Sequence, residues 1–157
     1  MTNDQFQFLA EDIEDLISEM EELEGNLSKK YSRIIVNSIE TPDGTILKSR
    51  YRHDYVSHTD KKNGKTYSVD GGLSYLKRSG PNNYKERSLL EFNKHSEIRE
   101  QFEWGSRGKW ILLKDLEDEH LINILKDVSE NKIALPAVQV IQSFLNEFYW
   151  RRSLLID

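Results

Sequence analysis

The chain has 157 residues, 37% apolar and 31% charged, with a net charge of −5 and no cysteine. That length supports a compact core, and apolar positions recur too regularly for a disordered chain. The composition excludes a disulfide framework and thiolate metal sites. No apolar run nears the roughly 18 residues needed to cross a bilayer, and the first residues lack the pattern of a secretory signal. The sequence therefore predicts no membrane partner and a cytoplasmic setting.

The first predicted element is a helix. Phe6, Leu9, Ile13, Leu16, Met20, Leu23 and Leu27 alternate spacings of three and four, which lays an apolar seam along one face. Thr2 or Asn3 is placed to cap its start, and Gly25 or Asn26 to end it. Residues 1–28 hold nine acids and no Lys or Arg, which leaves the remainder at +4. Such a helix either packs on the body of the protein or pairs subunits as a short coiled coil.

Strands follow. Residues 32–40, "SRIIVNSIE", read as a strand, and "TPDG" as a turn with Gly44 in the left-handed position. Residues 45–58, "TILKSRYRHDYVSH", read as one long second strand. Asn63-Gly64 signals a hairpin into a third strand, "KTYSVD". "GGLSYLKRSG" and "NYKERSLLEF" add two more strands to an antiparallel meander. "KHSEIREQFEW" then reads as a short helix ended by Gly105, and "GKWILLK" as a buried strand. Residues 116–128 read as an amphipathic helix with Leu116, His120, Ile124 and Val128 on one stripe. The last helix starts near Pro136 and turns Val138, Ile141, Leu145 and Phe148 to the core. The predicted class is α+β: an antiparallel β-meander packed by C-terminal helices, with an N-terminal acidic amphipathic helix. Residues 1–28 form that helix and residues 29–157 a single α+β domain.

Chemistry concentrates in "SRYRHDYVSHTD", residues 49–60. If residues 47–58 keep a twofold rhythm, His53 and His58 point to opposite faces and share no ion. No other histidine has a ligand partner one helical turn on, so no metal and no cofactor is predicted. There is no Gly-x-Ser-x-Gly elbow, no paired His-x-Thr/Ser motif and no P-loop. The same rhythm lines up Lys48, Arg50 and Arg52, successive cations about 7 Å apart, a pitch that suits phosphates. It sets Tyr51, His53 and Tyr55 on the other face, where a base or ribose can stack. Tyr75, Arg78, Trp104, Arg107 and Lys109 extend the inventory. Packing of the tyrosines across strands and ordinary surface ion pairs for the arginines explain the same residues without a ligand.

The stretches "ETPDGTILKSRYRHDYVSHTDKKNGKTYSVDGGLSYLKRS", "IREQFEWGSRGK" and "WILLKDLEDEHLINIL" resemble a family of small bacteriophage-encoded proteins over about residues 40 to 125. Lys77 stands where that pattern has arginine, which keeps the charge but loses the planar fork. The resemblance implies a viral origin and action in the host cytoplasm. By analogy with small phage proteins that sequester nucleotide immune signals, it implies an accessory protein that counters host defence. The expected activity is binding of a nucleotide-derived anionic small molecule without turnover. Arg50, Arg52, Arg78, Arg107 and Lys109 would contact phosphate; Tyr55, Tyr75 and Trp104 would stack; His53 and Asp70 would bond sugar hydroxyls. A homo-oligomer is expected. Two alternatives stand beside this. One is a protein-directed inhibitor that uses the acidic helix against a host defence protein or as a nucleic-acid mimic. The other is a nucleotide hydrolase that uses His53.

Overall fold

The structure is a computed structural model and describes residues 3–24, 34–50, 54–71, 77–90, 93–132 and 138–155. The class is α+β, with antiparallel sheets, an N-terminal helix and C-terminal helices. Contacts group the chain into two compact units, one drawn from residues 32–93 and the other from residues 1–31 with 94–157.

The first unit is made of strands. β1 (Ile34–Glu40) pairs antiparallel with β2 (Ile46–Ser49), and a second set, β3 (Val56–Thr59), β4 (Thr66–Asp70) and β5 (Lys77–Ser79), forms a three-stranded meander. β6 (Lys85–Glu86) and β7 (Leu89–Leu90) return to β1. Ile39 and Leu47 from the first sheet pack with Tyr67 and Val69 from the second, flanked by Val56 and Tyr84. Tyr67 buries its ring fully and still satisfies its hydroxyl, which donates to Asn83 Oδ1 and accepts from Asn63 Nδ2 at 2.9 Å.

The expected turns sit where the sequence puts them. Gly44 takes φ 87° after Asp43, and Gly64 takes φ 71° in the β3–β4 loop. Asp43 does more than start a turn. One oxygen accepts from Thr41 Oγ1 at 2.6 Å and the Thr45 amide at 3.0 Å, while the other accepts from the Lys61 amide at 2.9 Å and lies 2.7 Å from His58 Nε2. The Thr41 hydroxyl, then the Lys61 amide, then His58 hold this carboxyl far below the usual range. One side chain thus ties the β1–β2 turn to the β3–β4 loop.

The single strand expected over residues 45–58 is broken. β2 and β3 belong to different sheets. In β2 the odd positions Leu47 and Ser49 are buried, whereas in β3 it is the even positions Val56 and His58 that turn inward. Local side-chain bonds account for the break. Ser49 Oγ donates to the Asp54 carbonyl at 2.7 Å, and the Arg50 amide donates to Asp54 Oδ2 at 2.9 Å. Ser and Asp here take backbone partners that a ladder would use. Of the expected row of cations, Lys48 lies in β2 and Arg50 just after it, while Arg52 lies outside the described residues.

The second unit is mostly helical. α1 (Asn3–Glu24) lays Leu9, Ala10, Ile13 and Ile17 against α3 (Asp118–Ser129) and α4 (Val138–Ser153). Leu16 and Met20 are only half-buried, so the buried stripe drifts off the heptad seam, as a straight helix of 3.6 residues per turn requires. Leu27, and the expected caps Thr2, Gly25 and Asn26, lie outside the described residues. Val138, Ile141, Leu145 and Phe148 are buried as expected; Pro136 lies outside the described residues.

The stretch expected as a helix ended by Gly105 is instead one turn of helix, α2 (His95–Ile98), followed by β8 (Glu103–Ser106). β8 pairs with β9 (Lys109–Leu112), and Gly105 faces Trp110 in that hairpin. A Cβ on Gly105 would meet the Trp110 ring at 3.2 Å, so the glycine serves close cross-strand approach. β9 is not the buried strand expected: Lys109 and Trp110 are exposed.

A buried carboxylate locks this unit. Glu147 is 0% exposed and receives His95 Nε2 at 2.9 Å, Arg99 Nε at 2.9 Å and Arg151 Nε at 2.8 Å. Arg151 also reaches Asp118 and the Leu113 carbonyl, and the Arg99 guanidinium lies over the Trp150 ring. Burial alone would raise the Glu147 pKa, but the bonds from His95, Arg99 and Arg151 outweigh it and bring it down to about 2. A depressed carboxyl stabilises the fold above its ordinary pKa near 4.5, and that contribution disappears as pH falls from about 4.5 toward about 2. Glu147→Gln should cost about 3 kcal/mol in urea unfolding at pH 7 and flatten the acid loss of stability across that window.

Candidate functional site

The predicted ligand residues fall on both units. In the strand unit, Arg50 is exposed just after β2, and Tyr55 is 64% exposed, not packed across strands. Arg52, His53 and Tyr75 lie outside the described residues. Asp70 ends β4 with a buried Oδ1 that has no hydrogen-bond partner among the described residues. Arg78 in β5 is committed locally: its guanidinium pairs with both oxygens of Glu86 and donates to Ser88 Oγ at 2.5 Å. It also reaches Asn37 Oδ1 at 3.4 Å. Asn37 is fully buried in β1 and donates to the Gly71 carbonyl at 2.7 Å. An arginine already forked onto a carboxylate reads as a brace between β5, β6 and β1.

In the helical unit, Trp104 meets Phe144 edge-on, with ring centroids 5.0 Å apart, and so takes part in packing. Arg107 and Lys109 have a different setting. Both line a cleft of about 550 Å³ walled by the β8–β9 hairpin, the turn at residues 113–115 and the start of α3. Ser106 and the apolar faces of Ile111 and Leu116 line the hairpin side and floor. Glu119, His120 and Asn123 project from α3, with Asp115 and Glu117 just before it. A cleft of this size suits a small molecule of nucleotide dimensions.

The hairpin turn that carries Arg107 is unusual. Ser106 pairs with Lys109, so the loop is two residues, Arg107 and Gly108, at φ 51° and 76°. Two positive φ values define a type I′ turn, which favours Asn-Gly or Gly-Gly. Arg107 occupies a position that costs an ordinary side chain about 1 kcal/mol. Among the described residues, neither Arg107 nor Lys109 has a side-chain hydrogen bond or ion pair, and the same holds for Glu117 and Glu119. Among the described residues, the cleft lining therefore combines two cations and two carboxylates, Glu117 and Glu119, that have no ion-pair partner.

The sequence singled out Arg107 and Lys109, which line this cleft, but not Glu117, Glu119 and Asn123, which line it too. The i,i+4 spacing of Glu119 and Asn123 was visible, but only the hairpin beside them makes that helix face the wall of a cleft. Among the described residues, no group of three or more His, Asp or Glu is arranged to hold a metal ion. None of their helices is long and apolar enough to cross a membrane. No family model matches the chain, and comparisons with curated proteins and with solved structures find no match either.

Arg107→Asn removes a charge and relieves the turn. It should raise stability by about 0.5–1 kcal/mol in urea unfolding, the direction expected for a side chain held at a backbone angle it disfavours. A loss of stability instead would mean that the arginine is a structural partner.

Proposed function

We propose that this protein binds a nucleotide-derived anion without turnover, through the cleft lined by Arg107 and Lys109. The observation that supports this reading is Arg107 itself: an arginine in a left-handed turn position, without a protein partner among the described residues, at the edge of a cleft. Strain kept at one residue, against a cheaper Asn or Gly, points to use of that side chain. Lys109 adds a second cation, and the half-buried Ile111 offers apolar area to a base. The resemblance to phage-encoded proteins supports the biological side of the reading: an accessory protein that sequesters an immune signal in the host cytoplasm, as a homo-oligomer.

A second reading has its own support. Glu11, Asp12, Glu14, Asp15, Glu19, Glu21 and Glu22 are all exposed on α1. Such a face suits docking on a basic host protein or mimicry of nucleic acid. Because Leu9, Ile13 and Ile17 of the same helix are buried, charge reversal is a cleaner test than deletion. Lysine at positions 12, 15, 19 and 22 should leave ligand binding intact under the first reading and abolish anti-defence activity under the second.

A thermal-shift screen with cyclic dinucleotides and ADP-ribose derivatives tests the first reading. A ligand at 100 times its Kd should add about 2.7 kcal/mol of stability. Arg107→Asn and Lys109→Ala should each weaken it at least tenfold. Ligand recovered intact after heat release of the complex would separate binding from a hydrolase that uses His53. No stabilisation by any member would sink the reading.

A further inference from the structure

Charge in the cleft does not suit a bare polyanion. Arg107 and Lys109 share the lining with Asp115, Glu117 and Glu119, so, leaving His120 out of the count, formal charges there are three negative against two positive. A triphosphate or diphosphate brought here would meet carboxylates as well as cations. Ionised carboxylates only accept hydrogen bonds, so their partners on a ligand must be donors. Within the described residues, Glu117 and Glu119 have no side-chain hydrogen-bond partner to satisfy them. A vicinal diol supplies two hydroxyl donors at close spacing, and acidic side chains hold ribose hydroxyls in this way in dinucleotide sites.

Building on the anion-binding reading above, we propose that the ligand is a ribonucleoside carrying a single phosphate group. Its phosphate lies on the hairpin cations Arg107 and Lys109. Its ribose hydroxyls donate to Glu117 and Glu119 at the start of α3. Asn123, one turn beyond Glu119, presents an amide with both a donor and an acceptor to the base edge. The two ends of the cleft thus read the two chemically distinct parts of one nucleotide. A deoxy sugar offers the two acidic side chains one hydroxyl donor fewer, so the site favours the ribose form.

Titration calorimetry with AMP, GMP, CMP and UMP, their 2′-deoxy counterparts, the matching triphosphates and inorganic pyrophosphate tests this. At least one ribonucleoside monophosphate should bind, with its 2′-deoxy form at least tenfold weaker and its triphosphate no tighter. Glu119→Gln, or Glu117→Gln, should shrink that ribose preference to within threefold while phosphate-dependent binding persists. Equal affinity for the deoxy form, or a triphosphate bound tenfold more tightly, overturns the inference. So does binding of pyrophosphate alone; if that binding is lost in Arg107→Asn, the anion-binding reading stands without the ribose. If none of these anions binds, the ribonucleoside monophosphate inference fails, and the anion-binding reading is then decided by the cyclic-dinucleotide and ADP-ribose screen.

Discussion

The helical unit depends on one buried carboxylate. Glu147 has no exposed surface, and the His95 imidazole from α2, the Arg99 guanidinium just after it and the Arg151 guanidinium of α4 converge on it. Each taken singly would leave an uncompensated buried charge, which is why such clusters are strongly destabilised by loss of a member. The cluster also fixes one wall of the cleft. Arg151 carries the network on to the Leu113 carbonyl and to Asp118, and the Lys114 amide donates to the Arg99 carbonyl. These bonds set residues 113–118 in place, and Asp115 and Glu117 in the cleft wall lie within that span.

The opposite wall depends on a different device. Gly105 lets the Trp110 ring lie close across the hairpin, and the type I′ turn at Arg107-Gly108 closes it. The two-residue turn fixes the backbone that carries Arg107 and leads into Lys109, an arrangement that would lower the ordering cost of the proposed ligand. The strand unit uses the same economy with Asp43, where one carboxylate gathers two amides, a hydroxyl and an imidazole from two separate turns. His58, half of the histidine pair in the densest polar stretch of the sequence, is therefore engaged in fastening loops.

Much of the fold was legible because long periodic segments and turn residues carry strong signals. The apolar spacing of α1, the "TPDG" and Asn63-Gly64 turns and the core face of α4 are all of that kind. Two stretches misled for physical reasons. Residues 45–58 look like one strand because β-branched and aromatic residues flank the charges, yet β2 and β3 join different sheets, and Ser49 and Arg50 bond to Asp54 instead of extending a ladder. Residues 103–112 hide a hairpin because Arg-Gly is not a usual type I′ pair. That disguise and the candidate site have the same cause: the residue that makes the turn illegible is the one whose strain marks it. Glu147, His95 and Arg99 were invisible as a group, since residues 48 and 52 apart in sequence meet only through tertiary packing.

The proposed function requires a nucleotide phosphate to sit on the cations of the β8–β9 hairpin, beside the start of α3. Amide chemical-shift mapping of the isotopically labelled protein during titration with its tightest-binding ribonucleotide tests this directly. The largest shifts should fall on residues 106–111 and 115–123, and should vanish in Arg107→Asn. Shifts centred elsewhere, or unchanged by that substitution, would contradict it.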